Sequence, residues 1–340
     1  MRNGVRTILA IASLSTAAGC ASYRPDQPPR AALPLPANLR QYYSYPRAET
    51  TAVVRTAEVL AAYTVKDVSL TVPDSPKPIE IVWYAPITSE PRPLILISPI
   101  RGSDTFVVDG CARLFASRGY HAAIVKRFQF HYDPDEPLSQ VENFLRTAVI
   151  RHRQALDWLL VQPNVDADRV ATFGISYGGI INAALAAVEP RAKFHVIDLA
   201  GGPLPGVMKS SDEHSIRRDW NRSRRDHDLT NRQLYEAFQK VVCTDPVKLA
   251  PYVATDRVLM LIARLDRSVP TQYQLNLWRA LGKPRADFVY LGHYTSILAL
   301  PGHRTSILKF FEENFDQPVP VARADVVQAK GSPAIAATNQ

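Results

Sequence analysis

The sequence predicts an α/β protein with a mostly parallel sheet of eight strands and helices on both faces. Short apolar segments bounded by turn residues alternate with longer segments of helical spacing from about residue 64 to residue 315, the pattern of a parallel sheet covered on both sides. The chain has 340 residues, of which 46% are hydrophobic and 21% charged. That composition is typical of a globular protein with a sizeable core and excludes a disordered chain.

Charge and cysteine content exclude several classes of function. The chain has 40 Lys and Arg against 32 Asp and Glu, a formal charge of +8. In its densest basic segment, six arginines between Arg217 and Arg232 are interleaved with five acids from Asp212 to Asp228. We therefore expect a solvated, ion-paired surface there and no nucleic-acid partner. Three cysteines, with no CxxC or HExxH motif, exclude a disulfide-stapled scaffold and indicate neither a metal site nor a cofactor.

The first 19 residues have the features of a signal peptide. A short positive segment with Arg2 and Arg6 precedes an apolar run over residues 8–18, as in secretory signals. The Ala-Gly-Cys that ends at Cys20 resembles a bacterial lipobox, which implies that Cys20 receives a diacylglyceryl anchor. Ala17 stands where lipoboxes most often have Leu, so a cleaved signal with a chance cysteine is the alternative.

We expect residues 20–50 to tether the folded domain to a membrane. Six of the 27 prolines fall in residues 21–50, which predicts an extended, semi-rigid spacer after the lipidated cysteine. Ser22, rather than Asp, follows Cys20 by two positions and resembles outer-membrane sorting in a Gram-negative cell, with the protein facing the periplasm. The domain itself is assigned to residues 51–315, and residues 316–340 lack periodicity and are predicted to be disordered.

Each predicted strand is an alternating or wholly apolar run. The first two alternate about a Pro-Asp-Ser-Pro turn at residues 73–76 and predict an antiparallel pair, whereas the third is wholly apolar and predicts a buried parallel strand. In order, the predicted strands are Thr64–Val72, Ile79–Ala85, Leu94–Ser98, Tyr120–Val125, Arg169–Gly174, Phe194–Leu199, Val258–Ala263 and Ala286–Leu291.

The helices occupy the segments between these strands. Residues 200–256 interrupt the alternation with polar, helix-compatible sequence and predict a cap inserted above the sheet. Trp220 and Phe238 lie in this cap, and we expect them to shape an acyl pocket over the site; the alternative is that the segment packs away from the site. In order, the predicted helices are Asp104–Ser117, about 138–161, Tyr177–Val188, Thr271–Leu281 and His303–Phe315.

The clearest chemical signal is the G-x-S-x-G sequence at Gly174–Gly178, which centres on Ser176. A predicted strand precedes it and a predicted helix follows. A nucleophile on so sharp a turn requires glycines two residues away on either side, because its backbone is strained and crowded. The turn lifts the Ser176 hydroxyl above the sheet and directs the first helical amides, Tyr177 among them, at a developing oxyanion.

With this motif the chain resembles the α/β-hydrolase superfamily over roughly residues 64–315, and most closely its dienelactone-hydrolase and acetyl-xylan-esterase-like branches. The resemblance implies an α/β-hydrolase fold, no cofactor and a triad in the order Ser, acid, His. The acid is expected after a later strand, where Asp266 follows Val258–Ala263. Asp198, after the preceding strand, competes for the role, but it lies inside an apolar run, and we favour Asp266.

The histidine must be chosen from a short motif that occurs twice. Gly292–Leu298 and Gly302–Leu308 both read G-H-x-T-S-I-L. His293 directly follows the last predicted strand, as the family's catalytic histidine does. His303 opens the last amphipathic helix, where a histidine is usually a cap or a surface residue. We therefore favour His293.

The resemblance also implies a second oxyanion donor from the loop after the third predicted strand. Common members of the family carry His-Gly there, whereas this chain has Ile100-Arg101-Gly102. The backbone amide of Ile100 or Arg101 could still donate, because a main-chain donor does not depend on its side chain.

The expected function is a serine hydrolase, most consistent with hydrolysis of small carboxylic esters through an acyl-enzyme. A peptidase resembling the prolyl oligopeptidases is an alternative, although those enzymes generally have a propeller that the preceding 50 residues are too few to form. A non-catalytic envelope lipoprotein with a hydrolase fold is the third possibility. Loss of a triad member usually marks such proteins, and all three members are present here.

Overall fold

A ten-stranded mixed sheet forms the centre of the protein in the computed structural model. The structure describes residues 21–47, 49–73, 75, 77–101, 106–130, 132–133 and 135–315. The predicted signal peptide, Cys20 and the predicted disordered tail lie outside these residues. The strands are β1 (Ala21–Tyr23), β2 (Thr51–Val59), β3 (Tyr63–Thr71), β4 (Ile79–Pro86), β5 (Arg92–Ser98), β6 (His121–Val125), β7 (Val165–Ile175), β8 (Ala192–Asp198), β9 (Val258–Ala263) and β10 (Arg285–Val289).

The order of strands across the sheet is β1-β10-β9-β8-β7-β5-β6-β4-β3-β2. The eight predicted strands correspond to β3–β10. The expectation of eight strands is wrong because one further strand lies at each edge of the sheet. The sheet is also more mixed than expected: of its nine pairings in the described chain, five are parallel and four antiparallel. The antiparallel pairing predicted for the first two expected strands is found between β3 and β4.

Helices cover both faces of the sheet and follow the predicted order. They are α1 (Ala37–Tyr42), α2 (Phe106–Ser117), α3 (Gln140–Leu159), α4 (Tyr177–Val188), α5 (Leu204–Ser210), α6 (His214–Asp226), α7 (Asn231–Val241), α8 (Pro246–Leu249), α9 (Thr271–Ala280) and α10 (Leu300–Phe315). The segment predicted as a cap therefore consists mainly of α5 to α8, between β8 and β9. The hydrophobic core lies in layers on the two faces of the sheet, because each strand of the parallel region is buried on both sides.

Residues 21–47 lie against the domain and are not the free spacer that their prolines predict. Strand β1 pairs with β10, and the Arg30 guanidinium donates to the carbonyl oxygens of Ala250 (2.7 Å) and Ala280 (2.8 Å). Tyr43 is fully buried and its hydroxyl lies 2.8 Å from the hydroxyl of Thr244. Backbone pairing and burial of aromatic side chains hold the segment against the domain. The prolines here restrict the backbone conformation, but they do not keep the segment apart from the domain.

The carboxyl ends of β7, β8, β9 and β10 all lie at the same end of the sheet, because these four strands are mutually parallel. In open α/β sheets the loops at the carboxyl ends of the strands form the ligand sites. Ser176 directly follows β7, Asp266 follows β9, and His293 follows β10. The topology alone therefore brings the three predicted residues to the same end of the sheet.

Candidate active site

Ser176 lies on a strained turn between β7 and α4. Its φ is 58° and its ψ is −119°, a left-handed conformation that costs a non-glycine residue free energy and persists only where the surroundings impose it. A Cβ on Gly174 would lie 2.3 Å from the carbonyl oxygen of Gly178, and one on Gly178 would lie 2.0 Å from that of Ser98. Neither contact is sterically possible, so both glycines of the motif are required by close approach of the backbone.

A continuous chain of hydrogen bonds joins the three predicted side chains. His293 Nδ1 lies 2.6 Å from Asp266 Oδ2, and His293 Nε2 lies 2.9 Å from Ser176 Oγ. A carboxylate can only accept, so Nδ1 carries the proton and Nε2 presents its lone pair to the serine hydroxyl. In this arrangement the imidazole can take the hydroxyl proton as the oxygen attacks.

The Asp266 carboxylate is held by donors that the sequence did not indicate. Its Oδ1 accepts from the Val269 amide (2.9 Å) and its Oδ2 from Gln274 Nε2 (2.8 Å). Gln274 is fully buried in α9 and its Oε1 also accepts from the Ala263 amide, at 3.1 Å. Its position one helical turn before the buried Leu277 puts a polar side chain on an apolar face, and that was the signal available in the sequence.

The two competing residues, Asp198 and His303, bind each other beneath the site. His303 Nε2 lies 2.9 Å from Asp198 Oδ2 and its Nδ1 lies 2.7 Å from Asp287 Oδ2. The expectation of a cap or surface role for His303 is wrong, because the helix begins three residues earlier and the side chain is fully buried. Asp198 also reaches the nucleophile through its backbone, since its carbonyl oxygen accepts from the Ser176 amide at 2.8 Å.

The buried cluster of Asp198, His303 and Asp287 favours a charged imidazole. Burial by itself lowers the pKa of His303, but the hydrogen bonds and charges of Asp198 and Asp287 outweigh it and raise the pKa to about 9. For Asp287, burial raises the pKa, and the hydrogen bonds from His303 and Ser22 more than offset this and lower it. His303 is therefore an imidazolium at neutral pH, enclosed between carboxylates.

The loop after β5 lies directly beside the first turn of α4. Gly178 packs against the backbone of Ser98 and Pro99, so the segment with Ile100 and Arg101 continues alongside the turn that carries Ser176 and Tyr177. The Arg101 side chain does not lie free at the surface: it donates to Ser215 Oγ (2.9 Å) and Asp219 Oδ2 (2.8 Å) in α6.

The cap contacts three of the four segments that carry predicted site residues, the loops of Arg101, Asp266 and His293. Besides the Arg101 contacts, the Ser211 hydroxyl donates to the carbonyl of Ser268 at 2.6 Å, the Asp212 amide donates to that of Arg267 at 3.0 Å, and Tyr294 donates to Glu213. The cap therefore lies beside the loops that carry Arg101, Asp266 and His293.

Trp220 and Phe238 are inside the cap, which differs from the role expected for them. They are 3% and 0% exposed, and their ring centroids are 5.9 Å apart. Both apolar rings pack into the core between the cap and the sheet, because burial of large aromatic surface stabilises the cap more than exposure to a solvent-filled cleft would. They do not form a pocket wall.

Two further features concern metals and membranes. Within the described ranges, no group of three or more His, Cys, Asp or Glu side chains has the arrangement of a metal site. None of the described helices is both long and apolar enough to span a bilayer.

The sequence left open whether Cys111 and Cys243 form a disulfide bond. In the structure both are free thiols.

Part of the sequence matches a known protein family, and the fold is similar to that of solved structures. Residues 153–296 match the model of the prolyl oligopeptidase family, a region that contains all three predicted catalytic side chains. No curated protein matches the sequence. The fold is similar to an acetyl xylan esterase from Paenibacillus sp. R4, with a TM-score of 0.64 and 18% identity over 81% of this chain and 92% of that one.

Two further solved structures share the fold. Acetyl xylan esterase 1 from Thermoanaerobacterium sp. JW/SL YS485 aligns with a TM-score of 0.65 and 16% identity over 84% of this chain and 95% of that one. Acylaminoacyl peptidase from Pyrococcus horikoshii aligns with a TM-score of 0.56 and 19% identity over 75% of this chain and 42% of that one. The chain therefore has the α/β-hydrolase fold and is similar, in structure and over residues 153–296 in sequence, to hydrolases of the esterase and peptidase type.

Proposed function

We propose that the protein is a serine-dependent carboxylic ester hydrolase that acts on small-molecule esters. The observation that carries the proposal is the chain of hydrogen bonds from Asp266 through His293 to Ser176, at 2.6 and 2.9 Å. Such a chain on the strained turn of Ser176 has the geometry that nucleophilic acyl transfer requires.

In the proposed reaction, Ser176 Oγ attacks the ester carbonyl while its proton passes to His293 Nε2. Asp266 stabilises the imidazolium and keeps the ring oriented. The amides of Tyr177 and of Ile100 or Arg101 donate to the oxyanion. The imidazolium then protonates the leaving alcohol, and water resolves the acyl-enzyme with His293 as the base. No step requires a cofactor.

The test is covalent labelling of the folded protein with a fluorophosphonate, followed by location of the adduct by mass spectrometry. We expect one adduct, on Ser176, and a decrease of about 10⁴-fold or more in ester turnover for Ser176→Ala. Ser268→Ala serves as the control, since Ser268 is a buried serine near the site to which no role is assigned. An adduct on a different residue, or full activity in Ser176→Ala, would contradict the assignment.

Peptide hydrolysis is the second candidate, and the match to the prolyl oligopeptidase family over residues 153–296 favours it. The same three side chains would serve, because acyl transfer from an amide differs in the leaving group and not in the nucleophile. Parallel panels of p-nitrophenyl esters and aminoacyl p-nitroanilides distinguish the two. Turnover confined to the anilides would indicate the peptidase, and turnover of neither would indicate a non-catalytic envelope lipoprotein.

We also propose that the protein is exported and anchored to the cell envelope through a lipid on Cys20, facing the periplasm from the outer membrane if the cell is Gram-negative. The support is in the sequence: a positive start, a short apolar run and Ala-Gly-Cys at residues 18–20. Mass spectrometry of the amino-terminal peptide after expression in a Gram-negative host tests the modification directly.

A further inference from the structure

Strand β1 begins immediately after the proposed lipid attachment site. Ala21 pairs with Phe288, Ser22 with Asp287 and Tyr23 with Ala286, in an antiparallel ladder at the edge of the sheet. The Ser22 hydroxyl donates to Asp287 Oδ1 at 2.6 Å, and the Tyr23 ring packs edge-on against Trp278 with centroids 5.1 Å apart. Ala21, the first residue of β1, is joined to Cys20 by one peptide bond, across which consecutive Cα atoms are about 3.8 Å apart.

This short tether leaves no length with which the domain could stand away from a membrane. A lipid on Cys20 enters the bilayer, and the next residue is already part of the sheet. The β1–β10 edge must therefore lie at the headgroup layer. The prolines that follow come after this strand and cannot lengthen the tether.

The register also determines which end of the sheet faces the lipid. Because β1 is antiparallel to β10, its start lies at the carboxyl end of β10. The chain continues from that end to His293, four residues after Val289. Between β1 and β7 there are four strand spacings, so Ser176 lies roughly 19 Å from the start of β1 along this same end of the sheet. The anchor and the candidate active site share one side of the molecule.

The surface between them has the composition of a membrane-interface contact. Leu265, Tyr290 and Tyr294 are 61%, 59% and 69% exposed. Leu265 donates its amide to the carbonyl of Leu291 at 3.1 Å, which places the loop after β9 beside the loop after β10. Leu265, Tyr290 and Tyr294 are therefore exposed side chains on two adjacent loops, with the Tyr294 hydroxyl bound to Glu213 of the cap; we call them the mouth patch.

Positive charge lies beside the mouth patch. Arg264 and Arg267 are both exposed in the same loop, and the Arg264 guanidinium lies 6.0 Å from the centre of the Tyr290 ring. A tyrosine with an arginine over its ring, as at Tyr290, suits the headgroup region, where the aromatic ring contacts acyl chains and the cation contacts phosphate.

We propose that the mouth patch docks on the lipid surface, so that the end of the sheet that carries Ser176 faces the bilayer. The occupant of this surface is the bilayer to which Cys20 attaches the protein. This inference rests on the proposed acylation of Cys20 and extends the proposed esterase function, since substrate would reach Ser176 from the membrane interface.

The test uses the acylated full chain reconstituted in phosphatidylethanolamine and phosphatidylglycerol vesicles that contain brominated lipids. Tyr290→Trp adds a fluorophore in the mouth patch, and Val161→Trp adds one at the opposite ends of the strands, because Val161 precedes the amino end of β7 and is 77% exposed. We expect bromine to quench at least about half of the fluorescence added at residue 290, and less than about a tenth of that added at residue 161, since an interfacial side chain enters only the outer acyl region.

The outcomes separate the proposals. Equal quenching at residues 290 and 161 in an acylated protein would overturn the docking surface, and absence of acyl mass on Cys20 would overturn its premise. Fluorophosphonate labelling of Ser176 in the same samples reports the esterase proposal by itself, because the label reacts from solution. Retained labelling with either negative result would leave that function standing and remove only the membrane orientation.

Discussion

At the residue scale, the buried charge of His303 makes the stability of the fold decrease at alkaline pH. The pKa of this imidazole is raised to about 9 in the fold, against about 6.5 in an unfolded chain. The folded state therefore binds the proton more tightly, and the resulting stability is fully present below pH 6.5. It is lost as pH rises from there through about 9, because deprotonation leaves Asp198 and Asp287 buried without their cation.

We expect the free energy of unfolding, measured in urea, to fall from pH 6.5 to pH 10 in the wild-type protein. His303→Gln should lower it by about 3–5 kcal/mol at pH 7, since it leaves two buried carboxylates unpaired, and should flatten the decline. The buried Cys111 thiol adds to this fall only above about pH 8.5, because burial raises its pKa to about 11 and the unfolded thiol ionises first. The decline between pH 6.5 and about pH 8 is therefore the part that reports His303.

The control for His303 is a second buried histidine with the opposite pKa shift. Burial lowers the pKa of His152 to about 4, so this ring is neutral in the fold throughout the window. Above about pH 7.5 the unfolded ring is neutral as well, and His152→Gln should leave the slope there unchanged. A wild-type protein with a flat profile between pH 7 and pH 10 would contradict a charged His303.

The residues around the site also show why sequence reasoning found part of it. The G-x-S-x-G motif and the family's chain order identified Ser176, Asp266 and His293, and the structure brings these side chains together. Gln274 and the cluster of Asp198, His303 and Asp287 were missed because their roles depend on contacts across 8 to 105 positions of sequence. The repeated G-H-x-T-S-I-L motif does not by itself distinguish the two histidines, whereas the position of His293 directly after the last strand does.

At the scale of elements, strand prediction succeeded where burial imposed a pattern. The strand Val258–Ala263 is wholly buried and its predicted bounds match the structure. Strand β2 was missed because eight of its nine residues are exposed, so no alternation marks it. Strand β1 has three residues, too few for any periodicity, and its pairing is set by β10 rather than by its own sequence.

The cap is an element whose stability depends on its internal packing. Trp220 is 3% exposed and its indole nitrogen donates to Asn231 Oδ1 at 2.9 Å, which joins α6 to α7. We expect Trp220→Ala to lower the free energy of unfolding by about 3–5 kcal/mol, through lost burial and the cavity left behind. Urea denaturation followed by circular dichroism measures this effect.

Glu236→Ala provides the matched control in the cap. Glu236 is an exposed residue of α7 that pairs with Arg232 at 3.2 Å, and exposed pairs of this kind contribute less than about 1 kcal/mol. Equal urea midpoints for Trp220→Ala and Glu236→Ala would show that the indole does not hold the cap.

At the scale of the whole molecule, residues 21–47 belong to the folded unit. The segment runs from the β10 edge past α8 and α9 to α3, where Arg153 donates to the Tyr43 carbonyl at 2.5 Å. Composition predicted a spacer because proline content describes local stiffness, whereas attachment depends on partners distant in sequence. The same limit applies to both sheet edges, where the strands that local sequence did not indicate are found.

Limited proteolysis tests this attachment. A free spacer would be cut by trypsin after Arg30 and Arg40 within the first minutes, whereas a packed segment is cut only as often as it opens. We expect wild-type cleavage at these sites to be no faster than cleavage within the domain. Tyr43→Ala removes a fully buried ring and should raise the rate at Arg40 by at least about tenfold. Leu33→Ala, on the same segment but 59% exposed, should leave the rate unchanged.

Rapid loss of residues 21–40 from an otherwise intact wild-type protein would show that the segment is detached. The membrane contact inferred from β1 would then lose its geometric basis.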